Sequence, residues 1–169
     1  MVIKQATTSD LDGFYELFTE IMHEGYAGYT PTLINHFLNK DYSKNNFFLW
    51  LERFFRNIYI AIEDENVIGF IVGDYTYGGV AFISWLGVKK DFRKKGIGLS
   101  LFNVYEDFAK SKKAHLIELY TYPKVEGFYL KQGFKRVGVR EQGYFGQKNL
   151  IMNKRLGDWD ESNISERLP

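Results

Sequence analysis

This sequence predicts an α+β fold: a mixed, mostly antiparallel central sheet with helices on its faces. Three observations carry that expectation. The β-rich runs 58–63 and 67–75 are joined by Asp64-Glu65-Asn66, the chemistry of a hairpin turn. The runs 80–88 and 115–122 instead flank a helical segment, the kind of connection parallel neighbours need. The runs 134–141 and 148–155 read as a final antiparallel pair.

Each element has a local reason. Val2–Gln5 is a short first strand. Thr8-Ser9-Asp10 offers helix caps, and Leu11, Phe14, Phe18, Ile21 and Met22 recur at helical spacing before a Gly25 stop. Thr30-Pro31 is a cap followed by Pro at the first helical position, opening a helix to about Asn39. Ser43 caps another, in which Phe47, Phe48, Leu51, Phe54 and Phe55 share one face and are expected in the core. Tyr77-Gly78-Gly79 turns the chain into the run 80–88. Gly98–Lys112 is the clearest helix, with Leu101, Phe102, Tyr105, Phe108 and Ala109 on one face. A short helix over 124–132 is stopped by Gly133.

The chain has 169 residues, 22 basic against 21 acidic, and a net charge of +1, so no global field draws it to nucleic acid or an anionic membrane. It has no cysteine, which excludes a disulfide framework, thiolate-bound metal and a thiol nucleophile, and fits a cytoplasmic location. No apolar run reaches the ~20 residues of a membrane span, and MVIKQATTSD lacks the apolar stretch of a signal peptide. His23, His36 and His115 show no metal-ligand spacing, so no metal is expected. One domain over 1–156 and a polar tail over 157–169 is the simplest organisation.

The charge is unevenly placed. Residues 89–95 hold five cations and one acid, followed by Gly96-Ile97-Gly98 and the amphipathic helix. Glycines there allow close backbone approach, and the first N–H groups of a helix have no intrahelical partners, which makes an anion site suited to phosphate. A P-loop would need Gly-Lys-Ser/Thr, which is absent. A dinucleotide fingerprint would need glycine where Leu101 stands and a tighter turn. On Gly-x-Gly alone, a solvated basic loop remains the plainer reading.

Extended, the pattern becomes specific. Leu86-x-Val88, then Arg93-x-x-Gly96-x-Gly98, resembles the acetyl-CoA signature of the GNAT N-acetyltransferase superfamily, and Phe128-Tyr129-x-Lys131-x-Gly133-Phe134 resembles its second motif. The element order matches over about 2–155. The resemblance implies a splayed strand pair, with the acetyl-CoA pantetheine held by Leu86 and Val88 backbone. It implies pyrophosphate on the N–H groups of Arg93, Lys94, Lys95, Gly96, Ile97 and Gly98, with screened attraction from the lysines. Acetyl transfer to a primary amine, of a small molecule or of a protein or peptide, follows as the expected activity.

Tyr129 matches the family tyrosine that protonates the leaving sulfur, a role suited to a phenol that stays protonated at neutral pH. Glu118 matches, within one residue, the carboxylate base of ribosomal-protein alanine acetyltransferases; Asp74 is the next candidate. Phe82 stands where other members place a glutamate base. Thr121-Tyr122-Pro123 replaces a stretch that often carries a CoA-contacting Asn, and Tyr144-Phe145 resembles an acceptor-lining aromatic pair. Glu24, Tyr26, Tyr29 and Tyr42 are candidates for the acceptor wall. The alternatives are a non-catalytic acyl-CoA-binding sensor or docking domain and a small nucleic-acid module; the latter has only Phe92 as a stacking aromatic beside its basic loop. The expected partners are acetyl-CoA, an amine and, since dimers are common in the family, a second copy, with no nucleic acid or membrane among them.

Overall fold

A computed structural model describes residues 1–24, 28–75 and 77–161. The Gly25 stop, Tyr26 and the tail from 162 lie outside the described residues. Among those described, the elements run β1 (Val2–Gln5), α1 (Leu11–His23), α2 (Pro31–Asn39), α3 (Lys44–Glu52), β2 (Asn57–Glu63), β3 (Asn66–Tyr75), β4 (Val80–Val88), α4 (Ile97–Ser111), β5 (Leu116–Thr121), α5 (Glu126–Lys131), β6 (Lys135–Arg140) and β7 (Asn149–Arg155). The strands form one open sheet in the order β1-β2-β3-β4-β5-β7-β6. β1–β2, β2–β3, β5–β7 and β6–β7 are antiparallel. β4 and β5 are parallel, paired from Val80↔Leu116 to Ile83↔Leu119, and the pairing stops there, as a splayed pair requires. The predicted fold class is the observed one.

The chain divides into two compact units: Met1–Gly73 with Trp85–Tyr105, and Asp74–Ser84 with the chain from Glu106 onward. In the first unit α1 starts where Thr7 and Asp10 satisfy each other, the Thr7 N–H donating to Asp10 Oδ2 at 2.9 Å. Thr30 and Ser43 accept from the N–H groups of Leu33 and Asn46, both at 3.3 Å, and so cap α2 and α3. Asp64 and Glu65 both have positive φ, 48° and 64°, the backbone of a tight hairpin turn whose twist suits β2 and β3. The core is aromatic: Phe14 meets Phe47 and Phe70 edge-on at 4.9 and 5.3 Å, and Trp85 meets Phe18 and Tyr42 at 5.4 and 4.9 Å.

The helical spacing over Phe47–Phe55 overreached. α3 ends at Glu52, Phe54 takes φ 53°, and the Phe55 N–H closes onto Trp50 O at 3.0 Å. This left-handed C-terminal turn ends the face that Phe47 and Leu51 define. Phe54 and Phe55 are therefore 80% and 64% exposed, and Trp50 packs on Phe47 instead, at 5.0 Å.

In the second unit, Ile117, Leu119 and Thr121 are buried on one face of β5, while Glu118 and Tyr120 are half-buried on the other. β7 sits between β5 and β6, with Glu118↔Asn153 and Val139↔Leu150 in register. The chain after β7 docks at least to Trp159, whose ring meets His115 at 5.6 Å, while the Leu156 N–H donates to His115 O at 2.8 Å.

Glu106 of α4 accepts from Lys154 of β7 at 2.5 Å and pairs with Lys110 at 2.7 Å. Burial alone would raise its pKa, but the two lysine bonds outweigh burial and hold the carboxyl below its ordinary value. A carboxyl depressed by folding adds stability above its unfolded value, and that stability is lost as pH falls through the folded value. Glu106→Gln is expected to cost about 1 kcal/mol near neutrality. The melting-temperature gap to wild type should be full well above the ordinary carboxyl value of 4.5 and close as pH falls below it. A gap independent of pH in thermal melts would remove this carboxylate from the account.

Candidate active site

The acetyl-CoA motif residues lie in the first unit, the catalytic candidates in the second. Leu86 and Val88 are half-buried at the end of β4. The chain then makes a single 3-10 turn over Lys90–Phe92 and runs exposed through Arg93, Lys94, Lys95 and Gly96 to the buried Ile97 and half-buried Gly98. Lys94 and Gly96 have φ 63° and 83°. Such left-handed residues turn successive N–H groups to one side, making an anion-binding concavity. The first N–H to bond back is that of Ser100, to Gly96 O at 2.9 Å. Among the described residues, none of the N–H groups from Lys94 to Leu99 donates within the chain. Six consecutive donors thus stand in front of the fifteen-residue α4, where the helix dipole adds positive potential.

The cations of the loop divide by role. Arg93 donates from Nε to Val88 O at 2.8 Å and its guanidinium pairs with Glu24, just past α1. Its side chain is a strut across the base of the loop. Lys89 lies 3.7 Å from Glu20, and Lys95 lies over the Phe92 ring at 5.0 Å. Lys90 and Lys94 have no carboxylate partner among the described residues and are exposed, placed to attract phosphate without bonding within the chain.

Glu24, expected on the acceptor wall, is thus committed to Arg93. Tyr29 and Tyr42 pack into the aromatic core, at 5.4 and 5.5 Å from Phe37.

In the second unit Tyr129 is buried on α5, its ring edge-on to Phe128 at 5.1 Å and to Phe134 at 5.6 Å. Its hydroxyl makes no hydrogen bond among the described residues, and burial pushes the phenol's pKa well above its ordinary value. The group is a proton donor throughout the physiological range. Glu118 is beside Phe82 in the parallel register and Asn153 in the antiparallel one. Tyr120, two residues on, shares its face; burial raises that phenol first and the Glu118 carboxylate adds to it, with Arg140 opposing. Asp74, half-buried, is the penultimate residue of β3. Among the described residues no group of acidic, His or Cys side chains is arranged to hold a metal.

Tyr120 and Arg140 escaped the sequence reading. Alternation along β5 put Tyr120 on the Glu118 face and was a usable signal. Arg140 carried none, because its neighbours come from other strands.

A strand, an N–H cradle and a helix on an open mixed sheet with one splayed parallel pair make up an α+β fold with an anion-binding loop. The model of the acetyltransferase (GNAT) family matches residues 12–134, and the chain belongs to that family. It is 27% identical over 147 residues to an uncharacterized N-acetyltransferase of Methanocaldococcus jannaschii, aligning over 81% of this chain and 62% of that protein's length. It is 26% identical to the PaiA N-acetyltransferase of Thermoplasma acidophilum, solved in complex with coenzyme A, with TM-score 0.77, covering 92% of this chain and 99% of that one. The ribosomal-protein-alanine N-acetyltransferase of Brucella melitensis shares the fold at 21% identity and TM-score 0.74, over 92% and 100%.

Proposed function

We propose that this chain is an acetyl-CoA-dependent N-acetyltransferase that moves the acetyl group directly to a primary amine. The observation that carries the reading is the run of unpaired N–H groups from Lys94 to Leu99 ahead of α4, in a chain of this family. Those groups receive the pyrophosphate, Lys90 and Lys94 add attraction for phosphate, and Leu86 and Val88 hold the pantetheine through backbone. Arg93 keeps the cradle in shape through Val88 and Glu24. The amine nitrogen attacks the thioester carbonyl and the carbon–sulfur bond breaks. Glu118 takes the amine proton, directly or through water, and Tyr129 gives its proton to the departing thiolate. With no cysteine in the chain, no cysteinyl intermediate intervenes. The absence of thiols also suits a cytoplasmic enzyme.

Thiol release from acetyl-CoA against a panel of amines tests this. Glu118→Gln is expected to lower kcat about 100-fold with little change in acetyl-CoA affinity, the loss typical of a general base. Acetyl-CoA binding with no turnover of any amine in wild type would favour a sensing or docking role.

A further inference from the structure

The loop between β6 and β7 completes a polar and aromatic cluster on the Glu118 face of β5. Phe82 and Tyr120 meet at 5.4 Å, and the Tyr144 ring stands 5.5 Å from Tyr120. Arg140, the last residue of β6, reaches over β7 onto both tyrosines, with its guanidinium carbon 4.9 Å from the Tyr120 ring centre and 5.8 Å from that of Tyr144. Among the described residues, Arg93 pairs with Glu24, Arg136 with Glu126 and Arg155 with Asp158. Arg140 has no carboxylate partner among the described residues and is exposed. Both tyrosine rings lie under the guanidinium, and none of its N–H donors bonds within the described residues. A stacked guanidinium is a pre-set fork for a carboxylate or phosphate.

The support is rigid. Asn149 is 2% exposed, and its Oδ1 accepts the Tyr144 N–H at 2.7 Å. The Gly143 N–H donates to Gln147 O at 2.8 Å, and a Cβ on Gly143 would lie 2.1 Å from Asn149 Oδ1, so only glycine fits. Tyr144 is therefore fixed under Arg140 before any ligand arrives. With the guanidinium over these rings, a substrate ammonium meets like charge there. The carboxylate for that ammonium is Glu118, two residues before Tyr120 on the same face. Two strand residues span ~7 Å.

We infer that Arg140 is a specificity-determining residue that binds an anionic oxygen group, carboxylate or phosphate, on the acceptor, so that the preferred substrate is a primary amine bearing a negative charge. The inference rests on the acetyltransferase reading for turnover, but not for binding. Its test compares matched acceptors: lysine against cadaverine for the carboxylate, phosphoethanolamine against ethanolamine for the phosphate. Each is measured by acetyl transfer and, on CoA-loaded protein, by calorimetry. Wild type should favour the anionic member of at least one pair by about tenfold, the order expected of one charge-assisted pair. Arg140→Gln should abolish that preference by raising KM for the anionic acceptor about tenfold, with kcat, the neutral acceptor, CoA affinity and melting temperature unchanged. Arg140→Lys should restore part of it, because the charge returns without the fork. Equal binding of both members of both pairs in wild type, or a preference that survives Arg140→Gln, would overturn the inference. Binding preference without turnover would uphold the Arg140 site while removing the enzymatic reading.

Discussion

Gly96→Val is expected to weaken acetyl-CoA binding by about 10- to 100-fold, through the backbone alone. Gly96 has φ 83° and nothing stands within 4 Å of where its Cβ would be, so the cost is conformational and not steric crowding. A left-handed backbone costs an L-residue roughly 1–2 kcal/mol, and more for a β-branched one. The chain escapes that cost by rotating φ, which turns the neighbouring N–H groups out of the cradle. Since ~1.4 kcal/mol is tenfold in affinity, losing one or two aligned donors accounts for the range. Calorimetry with CoA and a thermal melt separate the outcomes. A large fall in affinity with a small shift in melting temperature supports the cradle. An unchanged dissociation constant would mean that the pyrophosphate does not rest on these N–H groups.

Tyr129→Phe is expected to lower kcat by roughly 100-fold or more, within the range for loss of a positioned general acid, while leaving KM for acetyl-CoA and the melting temperature close to wild type. The ring contacts with Phe128 and Phe134 survive the substitution, so packing is kept. Only the hydroxyl goes. Because burial raises the phenol's pKa, Tyr129 stays protonated on the alkaline side, and an alkaline fall in rate below about pH 10 must come from another group. In the variant that alkaline limb should keep its position while the whole profile drops. A kcat within twofold of wild type would make Tyr129 a packing residue and nothing more.

Glu118 and Arg140 show how differently the parts of the candidate site could be read. Glu118 was reachable only through a resemblance to the alanine acetyltransferases, and it lies on the half-buried face of β5 with Tyr120. Arg140 reaches Tyr120 only because β7 inserts between β5 and β6, a strand order that no local window contains. Glu24 illustrates the reverse error. As an isolated acid beside tyrosines it suggested a site for an amine, and it became the partner of Arg93 once α1 and the loop after β4 were brought together.

What the sequence by itself determined is what depends on contiguous residues. The caps at Thr30 and Ser43, the hairpin at Asp64-Glu65, the helix behind Gly96-Ile97-Gly98 and the donors it leaves open all follow from hydrogen bonds spanning a few positions. The tertiary structure decided what depends on which elements become neighbours. It turned Arg93 into a strut, buried the Tyr129 ring and laid Arg140 across two tyrosines. A charged or aromatic side chain is long enough to choose among several partners, and packing and strand order make that choice.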